Sequence, residues 1–448
     1  MKPSAAFSMI LLACSWSPAA PAQERPKTFA LAGDMLITQK LSVHGEPEFL
    51  KLIDIVRSAD VAFVNLEMLF HDYEPYPAAE SGGTYMRAHP SILQEVTWAG
   101  FDLVSLANNH AVDYGIEGLL INLDWVKKSG LVHAGVGKNL TLARSPGYMD
   151  SGIGRVALIA CASTFPSFGL AGPARPDVHG RPGLNPLRYQ TTYLLDEEGM
   201  NALRIVQSKM SGRPAEEGAK TIVFQRNRFE LADKPGAVTA PDPQDLKELT
   251  AAIRSARAQA DWVLVSTHVH EGAPGDRERP AQFLEIFARA AIDAGADMVV
   301  GHGPHVLRGI ELYKGKPIFY SLGNFVFQNE TVEFLPAENY LPYGLGPDAT
   351  PADFSDRRYS NDTRGFPVDA LNWQAVVAVP AFKAGKLERI ELVPIILGQG
   401  KPRPQRGRPV LADPQSAQAI IGRLAKLSQP YGTRIELQQG KGVIVPTP

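Results

Sequence analysis

The sequence predicts an α/β protein, and three observations carry that prediction. Short apolar runs recur along the chain, and each breaks into a turn carrying Asp, Glu, Asn or His. Amphipathic stretches with helical spacing lie between several of those runs. The chain has 448 residues, 44% of them hydrophobic, enough for one large core with insertions. A buried strand that ends in a glycine-rich turn is how α/β proteins place ligands at the carboxyl edge of a sheet.

Taken in order, residues 28–32 read as the first strand, ending at Gly33-Asp34. Residues 46–58 have helical spacing (Phe49, Leu50, Ile53, Val56) and lead to a strand at 61–64, which ends at Asn65-Leu66-Glu67. A loop rich in Pro, Gly and Tyr covers 71–90, after which Ser91 is placed to cap a helix, with Gln94 completing a capping box. A strand at 101–106 runs into Asn108-Asn109-His110, and 115–128 is amphipathic, stopping at Gly130. Further strands fall at 131–136 and 155–160.

Periodicity is then lost over 163–241, a stretch with many Pro and Gly and the arginines Arg175, Arg181 and Arg188, which predicts a loop-rich insertion. Asp242-Pro243 is an N-cap and first-turn pair that opens a helix to Ala258. The strand at 262–266 ends at His268-Val269-His270, and a helix at 280–294 feeds a strand that breaks into Gly301-His302-Gly303-Pro304-His305. Another apolar run, 318–320, breaks into Ser321-Leu322-Gly323-Asn324. A second polar insertion, 330–366, carries Arg357, Arg358 and Arg364. Antiparallel strands at 373–379 and 387–396 close the domain, taken as 27–400; a Pro/Arg linker at 401–414 and a short helix at 416–427 complete the chain.

The first 22 residues read as an export leader: one charge at Lys2, an apolar stretch, and Ala20-Pro21-Ala22 as a cleavage pattern. Leu11-Leu12-Ala13-Cys14 reads equally as a lipobox with Cys14 as a lipid anchor, so the mature protein is expected to be periplasmic, secreted or membrane-anchored. A net charge of -2 gives no footprint for nucleic acid. Cys161, the one cysteine beyond the leader, cannot form an intrachain disulfide and reads as core.

Five strand ends thus carry ligand-type side chains: Asp34, Glu67, Asn108-Asn109-His110, His268 with His270, and His302 with His305. On one parallel sheet all five would meet at one rim. Singly, each has an ordinary explanation as a turn, capping or core residue. Jointly they form a donor set for one or two divalent ions of borderline hardness, Mn, Fe or Zn, whose chemistry is to lower the pKa of water and hold the charge of a hydrolytic transition state.

These residues resemble the CapA family of bacterial capsule or poly-γ-glutamate synthesis proteins, a branch of the calcineurin-like metallophosphoesterases. The matching blocks are LAGDM at 31–35, VNLEM at 64–68, LANNHAVDYG at 106–115, GHGPHVLRG at 301–309 and YSLGNFVF at 320–327. The resemblance implies a four-layer fold, a β-sandwich flanked by helices. It implies Asp34 as first metal ligand, Glu67 at the bridging position, Asn109 on the second metal and His110 as general acid. His268, His302 and His305 would complete the metal shells, with Asn108, His270 and Asn324 as supporting or substrate-contacting groups. The chain departs from the wider pattern in lacking a His shortly after Asp34 and in having Gly303 where many members carry His. Two functions follow: an exported metal-dependent hydrolase of phosphoester or amide bonds, or a non-catalytic assembly factor that binds an anionic surface polymer.

Overall fold

The computed structural model describes residues 25–446 other than 215 and 217. The leader, with both readings of Cys14, lies outside the described residues. Two large mixed sheets organise the chain, one of ten strands and one of six. Five strands matter for the site: β1 (Lys27–Leu36), β2 (Val61–Leu66), β3 (Leu103–Ser105), β4 (Trp262–His268) and β5 (Met298–His302).

In the ten-stranded sheet β1, β2 and β3 run parallel, pairing Phe29 with Val61 and Phe63 with Leu103. The pairing slips between Leu31 and Asp34, a bulge that re-aims the end of β1. That bulge needs a glycine, because a Cβ on Gly33 would lie 1.8 Å from the carbonyl oxygen of Gly323. In the six-stranded sheet β4 and β5 are parallel neighbours, in a register that puts His268 directly beside His302. The five ends therefore do not share one parallel sheet, as the strand-and-turn pattern alone suggests. Three come from one sheet and two from the other, because period-2 apolar runs do not say which sheet a strand joins.

One apolar cluster draws on both sheets, including Leu31 and Val64 from the first and Leu264 and Val300 from the second. Phe29 meets Trp262 across it at 5.4 Å between ring centroids, an edge-on contact. Alternate residues of β4, Val263 and Val265, point the other way into a second cluster. There they meet Leu249 and Ile253 of the helix Pro243–Arg257 and Phe283 and Phe287 of the helix Gln282–Asp293. Asp242 caps the first of these helices by accepting from the backbone N–H groups of Gln244 and Asp245, as expected.

Several boundaries differ from expectation. Residues 163–241 are not loop-rich throughout: they contain a helix, Glu197–Ser211, and a four-stranded sheet of Tyr189–Leu195, Thr221–Phe224, Asn227–Leu231 and Gly236–Pro241. Most residues of those strands are only partly buried or exposed, so neither face leaves a clean apolar alternation in the sequence. The second insertion holds a nine-residue helix, Pro351–Tyr359, with a Thr350/Asp353 capping box. Ser91 is not the cap of the helix before β3. His89 accepts from the Ser91 N–H, and a turn begun by Pro90 leads into Leu93–Trp98. The C-terminal segment is part of the domain rather than a linker with a helix: Glu436–Gln438 and Lys441–Ile444 extend the ten-stranded sheet, and Pro414–Ser428 buries Ile420, Ile421 and Leu424. Among the described residues no helix is long and apolar enough to cross a membrane.

Candidate metal centre

The ends of β1, β2, β4 and β5 converge where the two sheets meet. Two groups of three ligand-type side chains result: Asp34, His268 and His302, and Glu67, His270 and His305. Within each group the donor atoms lie within 4.8 Å of one another, close enough to share an ion. Glu67 Oε1 ties the groups together, at 3.7 Å from His268 Nε2 and 4.0 Å from His305 Nε2. Asp34, Glu67, His268 and His302 are fully buried.

A single explanation covers what is odd about these atoms. Among the described residues neither carboxylate oxygen of Glu67 has a hydrogen-bond partner, nor does Asn109 Oδ1, although all three are buried. His268 Nδ1 lies 3.0 Å from His302 Nδ1, and His268 Nε2 lies 3.0 Å from His270 Nε2. Unpaired buried carboxylates cost several kcal/mol or more, so native folds retain them for a reason, commonly a metal. The donor set of carboxylate, imidazole and amide oxygens fits divalent ions of borderline hardness.

Electrostatics separate the two carboxylates. Burial pushes the Asp34 carboxyl up, but the hydrogen bonding and charge of His302 and His305 overcome it and hold the group well below the usual carboxylate range. Glu67 has no such help. Burial first, then the neighbouring Asp34 and Asp113 charges, push it well above that range. Burial likewise lowers the imidazoles of His268 and, to about 3, His270, so both are neutral at physiological pH, the form that binds metal.

Outer groups fix the inner ones. The Gly303 N–H donates to Asp34 Oδ2 at 2.9 Å, and Asn65 Nδ2 donates to Asp34 Oδ1 at 2.8 Å. Ser266 Oγ sits 2.7 Å from His302 Nε2, and Asn324 Oδ1 2.8 Å from His305 Nδ1. Such contacts set tautomer and ring orientation. The fully buried Arg308 donates to the carbonyls of Val269 and His270, holding the turn that carries His270.

His110 faces the same pocket, a cavity of about 190 Å³ that Asn109, His270 and His305 also line. Its Nδ1 is 2.6 Å from Asp113 Oδ2, while Nε2 points toward Glu67 Oε1 at 3.9 Å. Asp113 is itself fixed, accepting from the backbone N–H groups of Gly82 and Met86. Asn109 Nδ2 donates to the Gly82 carbonyl, and a Cβ on Gly82 would lie 2.6 Å from that nitrogen, so the loop closes on the site only with glycine there.

All ten residues singled out in the sequence lie in or beside this cluster. Asp34, Glu67, His268, His302 and His305 fall within the two groups, as does His270, which the sequence placed beside His268 at one strand end and offered as a supporting or substrate-contacting group. Asn109 contributes an unpartnered oxygen at the rim. Asn108 donates to the Leu66 carbonyl and accepts from the His110 N–H, so it supports the turn. Asn65, Asp113, Ser266, Gly82 and Arg308 were missed. Asp113 has a readable signal, its i,i+3 spacing from His110; Asn65 stands within VNLEM, two residues before Glu67.

Fold and site together define a class: a mixed α/β protein whose buried histidine–carboxylate cluster is able to hold metal ions. Residues 28–329 match the family described as bacterial capsule synthesis protein PGA_cap, and the chain belongs to that family. It is 34% identical over 432 residues to the uncharacterized protein y4sH of Sinorhizobium fredii (strain NBRC 101917 / NGR234), spanning 93% of this chain and 92% of that one. It is 25% identical over 335 residues to the capsule biosynthesis protein CapA of Bacillus anthracis (72% of this chain, 66% of that one). With the PGA biosynthesis protein CapA of Bacillus subtilis (strain 168) the figure is 27% over 276 residues, 61% of this chain and 54% of that one.

Proposed function

We propose that the protein is an exported metal-dependent hydrolase of a phosphoester or amide bond, working in the synthesis of an anionic surface polymer in the capsule or poly-γ-glutamate class. The four-layer arrangement of the calcineurin-like phosphoesterases is part of this reading. One observation carries it: two adjacent donor groups are linked by a buried Glu67 whose oxygens have no partner among the described residues, and the second group reaches, through His270 and His305, the pocket that His110 faces. The link to surface polymers rests on the names of the Bacillus relatives.

Asp34, His268 and His302 would hold one ion and Glu67, His270 and His305 the other, with Asn109 Oδ1 as a further oxygen donor. Bound there, Mn, Fe or Zn supplies an activated water and neutralises charge in the transition state. The protein supplies the rest. His110 would give a proton to the leaving group from Nε2, because Asp113 engages Nδ1 and keeps the ring oriented. The buried walls of the cluster keep competing water off the ligands.

Elemental analysis of the purified mature protein tests the reading, beside an Asp34→Asn, His302→Ala double variant. One to two equivalents of Mn, Fe or Zn per chain, lost in the variant, are expected. A chain that stays metal-free after reconstitution would sink the hydrolase and leave a polymer-binding factor in its place.

A further inference from the structure

We infer that Arg358, in the second insertion, is the anion-recognition residue of this pocket, and that the substrate carries an oxyanion, phosphate or carboxylate, next to the bond that is cut. The inference rests on the proposed hydrolase site for the position of that bond. It adds a residue beyond the family-matched span, which ends at 329.

Arg358 lines the same cavity as Asn109, His110, His270 and His305. It also lines a neighbouring cleft of about 610 Å³, where Arg364 adds a further positive charge beside the ion pair of Arg277 with Asp369. Among the described residues no carboxylate lies within ion-pair distance of Arg358. Its partners are Thr84 Oγ1, which accepts from Nη1 at 2.7 Å, and the rings of Phe354 and Tyr359 at 5.6 and 5.4 Å. A guanidinium has five donors in a planar fork suited to carboxylate and phosphate, so most of this one's capacity is left for a ligand. The default for an insertion arginine is a solvated charge; this one is half-buried and held through one of its own donors, to Thr84 Oγ1, at the pocket that His110 faces.

Its position is fixed from both sides. The 71–90 loop and the second insertion are held together by buried Arg87, which pairs with Glu333 at 3.1 Å. The Phe334 N–H donates to Tyr73 Oη at 2.9 Å alongside. The Arg358–Thr84 bond is a third contact between the two segments and the one that touches the pocket. A pre-placed arginine loses little freedom on binding, which is what makes it an effective recognition group.

The test is titration of inorganic phosphate, and separately glutarate, into metal-reconstituted full-length mature protein. Wild type, Arg358→Met, Arg358→Lys and the surface control Arg175→Met are compared, with metal content and thermal midpoint measured for each. For Arg358→Met, affinity for at least one anion is expected to fall roughly 10- to 100-fold, the range of a charge-assisted contact. Metal content should stay unchanged, Arg358→Lys should recover part of the affinity, and Arg175→Met should match wild type. Loss of phosphate binding alone assigns a phosphoester, and loss of glutarate binding alone a carboxylate-bearing chain. Equal affinities in wild type and Arg358→Met, with metal bound and both folded, overturn this inference and leave the hydrolase reading standing. Arg358-dependent anion binding by a protein that takes up no metal supports Arg358 as the anion-recognition residue, overturns the hydrolase, and with it overturns the placing of the anion beside a bond that is cut.

Discussion

Replacing Gly303 with alanine is expected to damage the fold and the metal centre together. Gly303 has φ +111°, a region an L side chain enters at a cost of about 1–3 kcal/mol. A Cβ there would lie 2.9 Å from the Val269 nitrogen, 3.0 Å from His270 Cδ2 and 3.2 Å from His268 Cε1. The first of those is backbone and cannot swing away, so overpacking adds roughly 1–3 kcal/mol. The sum, about 2–6 kcal/mol, is a large share of the ~5–15 kcal/mol that holds a typical domain together. The same atoms carry the site: the imidazoles pushed aside are ligand candidates, and the Gly303 N–H is the donor to Asp34 Oδ2. Gly303→Ala should therefore lower the urea midpoint and lose most bound metal. Gly45→Ala, where a Cβ meets nothing within 4 Å, should stay within about 0.5 kcal/mol of wild type. A Gly303→Ala protein with full metal content and an unshifted midpoint would refute the reasoning, since the backbone would then have room that the structure denies it.

Other expectations concern single charged or titrating groups. Glu67→Gln should raise the thermal midpoint of the metal-free protein while abolishing the further rise that metal produces. The sign follows from its raised folded pKa: the stability this group contributes is present below about pH 4.5 and lost as pH rises through the folded value, so above that range keeping this carboxyl buried is a cost that Gln removes. Asp113→Asn should keep metal but lower kcat on a chromogenic phosphoester by roughly 10²- to 10⁴-fold. Its effect should not multiply with that of His110→Gln, and multiplicative losses would show that the two residues do not act as a unit. His71, held down to about 4 by burial and by nearby Arg87, contributes stability that is present above pH 6.5 and lost as pH falls toward 4. Chemical denaturation across that window should show a shallower acid loss for His71→Gln, and parallel curves would count against it.

What the sequence revealed of the site was mostly its local part. Asp34, Glu67, His268, His302 and His305 each follow an apolar strand directly, so strand-then-turn chemistry marks them. The helix Gly115–Lys128 and the Asp242 cap were equally legible, being set by neighbours in sequence. Partnership was not. That Asp113 serves His110, or that Ser266 lies against His302, depends on how turns fold and strands register. The rim was least visible, because Thr84 and Arg358 meet only in three dimensions and each sits in a stretch that reads as polar loop. The inserted sheet at Tyr189–Pro241 was missed for a related reason: with most of both faces partly exposed, no buried side imposes a period.

The two sheets explain why the ligands come in mixed sets. Asp34 belongs to the ten-stranded sheet and His268 and His302 to the six-stranded one, while Glu67 follows a strand of the first and His270 and His305 follow strands of the second. Each group therefore spans the seam, and an ion in either would join the sheets. Without ions that seam holds a carboxylate pushed well above its usual range beside imidazoles 3.0 Å apart, an arrangement that burial alone opposes. The apolar core around Phe29 and Trp262 must carry that cost, and it is continuous from sheet to sheet. Metal binding would replace the cost with a gain that grows as RT ln(1 + [L]/Kd), about 4 kcal/mol at a thousandfold excess over Kd. A metal bound at this seam would change the stability of the whole domain, and that is why metal content and unfolding midpoint are expected to fall together in Gly303→Ala, while in Asp113→Asn activity is expected to fall with metal content unchanged.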